Sequence, residues 1–175
     1  MSSPSCRRSV VAEVSQALAA SAGDRAPLLR IDLCAQPLLP WQQLQRWQLL
    51  LLDRGLIAPA ESQFIGRVRP LAGDGSPLTR LELEHYPGMT ERQLQSLAHA
   101  AAVRHGALAV LVQHRVGHLA PGEAIVLVAV AADRRGPAQR CCQELLEALK
   151  HDAPFWKREW RQDGSSDWLA GNTPL

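Results

Sequence analysis

The sequence predicts a single α/β or α+β domain, and three observations lead there. Runs at 28–34, 63–69, 78–86, 108–116 and 124–132 have the length and apolar pattern of strands. Two stretches between them and a third after the last carry apolar residues at helical spacing and are closed by glycine or opened by proline. A chain of 175 residues is long enough to bury roughly 70% of its unfolded surface without metal or disulfide staples. Strands alternating with helices place sheet and helices in one layered unit.

The elements follow in order. Residues 1–27 are rich in Ser and Ala, with weak periodicity around 10–18, and are expected to be a flexible appended segment; the domain proper is expected at 28–175. Leu29, Ile31 and Leu33 alternate as in a strand. Pro40 opens a helix in which Trp41, Leu44, Gln48, Leu51 and Leu52 are expected on one face, with Gly55 as its stop. Residues 63–69 and 78–86 read as strands joined by the turn-rich PLAGDGSP at 70–77. In the second, Leu81, Leu83 and His85 face one side, and Glu82, Glu84 and Tyr86 the other. Thr90 and Gln93 have capping-box spacing, Leu94, Leu97, Ala98 and Ala101 form a helical stripe, and Gly106 ends it. The continuous apolar run 124–132 fits a strand buried on both faces. A last helix is expected at 137–150, with Cys141, Leu145 and Leu149 inside.

Composition excludes several classes of function. Nineteen basic residues against seventeen acidic leave a net charge of +2, too little to indicate a nucleic-acid or membrane partner. No run approaches 18 apolar residues, and Glu13 and Gln16 interrupt what would be an export signal, so a cytoplasmic protein is expected. Cys6, Cys34, Cys141 and Cys142 contain no C-x-x-C pair and read as reduced thiols. His114 and His118 fall on a strand and turn, where a spacing of four does not make a metal site; no metal and no cofactor is expected. GDGSP at 73–77 lacks the glycine spacing of a dinucleotide loop.

Three basic stretches remain: GRVR at 66–69, the pair Arg134–Arg135 after the apolar strand, and LKHDAPFWKRE at 149–159. Taken singly, each is ordinary solvated surface, and Lys150 is also favoured at a helix C-terminus by the macrodipole. Together with LEHYPGMTE at 83–91, HRVG at 114–117, PGE at 121–123 and APFWKRE at 153–159, they resemble, in order and spacing, the large subunit of molybdopterin synthase. The resemblance runs from about residue 28 to Trp168.

The resemblance implies a hammerhead-type mixed sheet with flanking helices and a small added β subdomain. It implies a homodimer in which each protomer binds one small ubiquitin-like sulfur-carrier subunit, making a heterotetramer. The carrier's Gly-Gly thiocarboxylate would donate two sulfurs to cyclic pyranopterin monophosphate. The family's two catalytic lysines fall on Lys150 and Lys157. Its substrate-binding segments fall on Arg67, Val68 and Arg69, on Arg134 and Arg135, and on Lys157, Arg158 and Glu159, together with Lys150. Phe64 matches the aromatic lining the pocket. Two positions depart from the family: Arg134 stands where a histidine is usual, and Asn172 lies nearest an arginine that reaches the partner protomer's site in some members. They motivate a second reading, a homologue that docks the small subunit or pterin without turnover. A persulfide enzyme is disfavoured because Cys141 and Cys142 fall inside the expected last helix.

Overall fold

The computed structural model describes residues 26–169. The stretch at 10–18, Cys6 and Asn172 lie outside them. In chain order the elements are β1 (Leu28–Cys34), α1 (Pro40–Asp53), β2 (Ala60–Arg67), β3 (Leu78–His85) and α2 (Met89–His105). They continue with β4 (Ala107–Arg115), β5 (Gly117–Leu119), β6 (Ala124–Ala132), α3 (Arg135–His151), β7 (Phe155–Arg161) and β8 (Ser166–Trp168).

The apolar run of β6 needs cover on both faces, and the fold supplies it. One mixed sheet has the order β1-β4-β6-β2, with β1 parallel to β4 and the other pairs antiparallel. Leu44, Trp47 and Leu51 of α1 share a core with Ala109, Leu111, Leu127, Ala129 and Ala131 on one face. On the other face, Leu94 and Ala98 of α2 and Cys141, Leu145 and Leu149 of α3 close over Val110, Val112, Val128 and Val130. The alanines beneath α1 leave the volume that Trp47 fills, 2% exposed.

The expected face of α1 needs correction. Leu44 and Leu51 are buried, but Trp41 and Leu52 are exposed, and the inner stripe is Pro40, Leu44, Trp47 and Leu51. With leucine at every position from 49 to 52, the sequence offers apolar groups on adjacent faces, so periodicity alone does not choose between them. The start of α2 also differs. Gly88 is the N-cap, and its N–H donates to the Glu91 carboxylate at 2.6 Å, so Glu91 and not Gln93 closes the first turn. Thr90 is fully buried; its Oγ1 accepts from Tyr86 N–H and donates to the Pro154 carbonyl. Replacing Glu91 with alanine is expected to cost about 1 kcal/mol, read as a lower urea midpoint with unchanged slope. At the other end Gly106 takes φ 64°, the left-handed cap that the sequence signals.

A second, antiparallel sheet has the order β5-β3-β7-β8. Its inner face carries Leu81, Leu83 and Leu119, packed with Val68 and Ile125. The link between the sheets is a register shift where β2 pairs with β6: Gly66 opposes Val126, but Arg67 opposes Ala124. Ile125 is skipped and packs with the second sheet's core, which is how a bulge re-aims a side chain. β5, β7 and β8 are not among the elements read from the sequence.

Candidate functional site

The seam between the two sheets is where the basic residues gather. Strand β7 alternates, so Phe155, Lys157 and Glu159 take one face while Trp156, Arg158 and Trp160 take the other. Helix α3 ends beside that first face and brings Leu146, Glu147, Leu149 and Lys150 to it. A cavity of about 360 Å³ results, lined by Phe64, Gly66, His114, Ile125, Val126, Leu146, Glu147, Leu149, Lys150 and Lys157. A second, of about 240 Å³, adjoins it and is lined by Val68, Arg69, Leu78, Leu81, Ile125, Lys157, Glu159 and Leu169. Ile125 and Lys157 line both, so Lys157 stands where the two chambers meet. Gly66 is required there: a Cβ would lie 2.8 Å from Val126 Cγ1 and 3.2 Å from the Phe64 ring.

Electrostatics divide this cleft. Arg69 Nη2 donates to Glu159 Oε1 at 3.2 Å; the carboxylate is buried, while the guanidinium is 43% exposed and keeps donors for an incoming anion. Burial pushes the Lys157 ammonium below the usual lysine range, and the charges of Lys150 and Arg69 push it further. His114 is more deeply placed, with Nδ1 2.8 Å from the Arg115 carbonyl and its ring stacked on Phe155 at 4.0 Å. Burial lowers its pKa to about 4, Lys157 pushes in the same direction, and the Arg115 carbonyl opposes them. Apolar walls, two convergent lysines and a neutral imidazole make a cleft that can take an anionic ligand and move a proton at it.

Of the residues singled out in the sequence, Phe64, Val68, Arg69, Lys150, Lys157 and Glu159 line the two chambers. Arg67 is turned to the Gly122 carbonyl at 3.0 Å. Arg158 lies on the outer face of the second sheet, over the rings of Trp160 and Trp168 and bonded to Ser166. Arg134 and Arg135 lie beyond the far end of β6, both exposed, with Arg134 beside Asp133. The stretch from Val126 to Ala132 alone is roughly 20 Å, so within one protomer these two arginines do not reach the lysines. His114 and Glu147 were not singled out for this site. A period-2 reading puts His114 on the face of Val110 and Val112, but no charge pattern separates it from a core histidine.

Among the described residues, no cysteine lines either chamber. Cys141 and Cys142 are buried in α3, and burial raises the Cys141 thiol to about 12, with Cys142 and Glu144 adding to the shift. Among the described residues, no three His, Cys, Asp or Glu side chains are grouped to hold a metal. No helix among them is long and apolar enough to cross a membrane.

The family described as MoaE protein matches residues 48–152, a span that runs from α1 through β2, β4 and β6 to the end of α3 and includes Lys150. The chain belongs to the MoaE family. The molybdopterin synthase catalytic subunit of Ralstonia nicotianae is 48% identical over 106 residues, covering 61% of this chain. That match spans 60% of the Ralstonia protein's own length. The protein of the same name from Cereibacter sphaeroides is 45% identical over 107 residues, 61% of this chain and 70% of its own. Among solved structures, the molybdopterin biosynthesis MoaE protein from Burkholderia ambifaria superposes with a TM-score of 0.65 at 35% identity, over 85% of this chain and 92% of that one. The likeness to this MoaE structure extends beyond the matched span, and the mixed sheet with flanking helices and a smaller second β-sheet that the resemblance implies is observed.

Proposed function

We propose that this MoaE-family chain is the catalytic subunit of a molybdopterin synthase, moving two sulfurs from a small ubiquitin-like carrier to cyclic pyranopterin monophosphate. The observation that carries the reading is the convergence of Lys150, from α3, and Lys157, from β7, on one apolar cavity with Arg69 beside it. The carrier's C-terminal thiocarboxylate enters the cleft. Its sulfur forms a bond to a pterin side-chain carbon as a carbon–oxygen bond breaks, and a lysine ammonium protonates the departing oxygen. Water then cleaves the thioester, leaving sulfur on the pterin and a carboxylate on the carrier. A lysine amine attacking the same acyl carbon would instead trap the carrier as an amide. We assign Lys150 to the position nearest the chemistry and Lys157 to proton supply.

Arg69 binds the substrate phosphate, with Val68 and Glu159 fixing the geometry of that edge, and Arg67 reaches the phosphate only by leaving the Gly122 carbonyl. Arg134, Arg135 and Arg158 face away from the lysines within one protomer, so their substrate contacts require a homodimer in which the partner brings basic residues to the cleft. Arg134 in place of histidine keeps phosphate binding and gives up proton transfer, since a guanidinium does not deprotonate near neutral pH. The reaction belongs in the cytoplasm. The test mixes the purified chain with cyclic pyranopterin monophosphate and thiocarboxylated carrier and measures molybdopterin. Product that disappears with Lys150→Ala is expected. Carrier binding with no product would replace this reading with a docking role, the alternative that Arg134 motivates.

A further inference from the structure

His114 combines three properties that no single structural role needs together. Its Nδ1 faces the Arg115 carbonyl oxygen at 2.8 Å; a carbonyl only accepts, so Nδ1 carries the hydrogen and Nε2 keeps the lone pair. Its ring lies on Phe155 with an interplanar angle of 13°, so the two rings hold each other in orientation. And that ring lines the same cavity as Lys150 and Lys157. The charged groups facing it are Lys157 from β7 and Lys150 and Glu147 from α3, while the neighbouring Arg115 turns one guanidinium nitrogen to the His118 carbonyl. Beside two lysines in a buried position the imidazole stays neutral. A neutral imidazole with Nδ1 committed accepts hydrogen bonds into the cavity and donates none.

We propose that His114 is a positioning residue for Lys157, its fixed Nε2 lone pair drawing a Lys157 Nζ–H into the cavity and aligning the ammonium on the reacting centre. The kinetic consequence rests on the sulfur-transfer reading; the effect on Lys157 itself does not. Phe155 serves by holding the ring, two residues before Lys157 on the same face of β7.

Two variants of the full chain test this. His114→Phe keeps a flat ring against Phe155 and removes both nitrogens, whereas His114→Gln restores an acceptor oxygen at similar reach. The first readout is the titration of Lys157, followed as the pH dependence of trace acetylation at that residue by mass spectrometry. Loss of an acceptor for the ammonium lowers the midpoint, expected by at least about half a pH unit in His114→Phe and largely restored in His114→Gln. The second readout is molybdopterin formation, with kcat expected to fall about tenfold in His114→Phe at a KM within about twofold, and to recover in His114→Gln. An unchanged Lys157 titration in His114→Phe overturns the proposal, whether or not the protein turns over. A shifted titration in a protein whose parent makes no molybdopterin upholds the positioning role and removes the sulfur-transfer reading. If His114→Phe fails to fold by circular dichroism, Asn and Gln at this position decide. The shorter Asn amide does not reach and should lower the Lys157 midpoint; equal midpoints for the two amides would overturn the proposal.

Discussion

Lys157→Met is expected to lower the rate of molybdopterin formation by at least about 100-fold, because it removes the group proposed to supply a proton to the departing oxygen. Lys157 stands at the junction of the two chambers, its ammonium weakened first by burial and then by Lys150 and Arg69. An ammonium so weakened gives up its proton near neutral pH more readily than a solvated lysine does. Methionine keeps much of the aliphatic length and deletes the charge, so the walls of the cleft stay in contact. Deleting a partly desolvated cation relieves a cost of the folded state, and losing its hydrogen bonds offsets that relief. The melting temperature should therefore change little while activity collapses, which separates a chemical role from a structural one. Single-turnover assays with the thiocarboxylated carrier check the rate, and differential scanning calorimetry checks the fold. A rate within about threefold of the parent would remove Lys157 from the chemistry.

Between pH 6.5 and about 4 the fold is expected to lose about 3 kcal/mol through His114 alone. The imidazole titrates near its ordinary 6.5 when unfolded and at about 4 when buried among Lys157, Lys150 and Glu147. Inside that window the unfolded chain binds a proton that the folded chain refuses. Stability is complete above pH 6.5 and drains away as pH falls, with nothing further lost through this group below about 4. Urea midpoints at pH 7 and pH 4.5 for the parent and for His114→Phe give the measurement. The difference between the two slopes isolates His114 from the carboxylates, which titrate in both proteins. Parallel slopes would mean that the imidazole charges inside the fold.

The first sheet was legible because its chemistry is uniform. β1 and β6 have the bounds that alternation and the unbroken apolar run predict, and α2 and α3 carry their expected buried stripes. β7 was not legible, and the reason is physical. Its inner face, Phe155, Lys157 and Glu159, is charged because it lines the cleft, and its outer face pairs Arg158 with Trp160 and Trp168, so neither face shows apolar alternation. A site that breaks local pattern hides the element that builds it. The lysines were found through resemblance, not through period. Nothing in the spacing of Arg134 and Arg135 told that they fall at the opposite end of β6 from Lys150, because that depends on which sheet end the cleft occupies. His114 was missed since a histidine among valines on a buried strand reads as core, and only the stack on Phe155 and the cavity beside it say otherwise.

The position of β7 between β3 and β8 fixes when the second sheet can form during synthesis. The helices and the first sheet draw on residues up to His151 and can close a core as soon as that length has left the ribosome. The second sheet cannot: Leu83 waits for Lys157 and Glu82 for Arg158, partners more than seventy residues downstream. Until they arrive, β3 has only the three-residue β5 beside it, and Leu81 and Leu83 are without cover from β7. Nascent chains stalled short of β7 therefore carry a closed first layer and an open apolar edge, a natural target for chaperones. The strand that pairs along β3 also delivers Lys157, so the cleft takes shape only when the second sheet does.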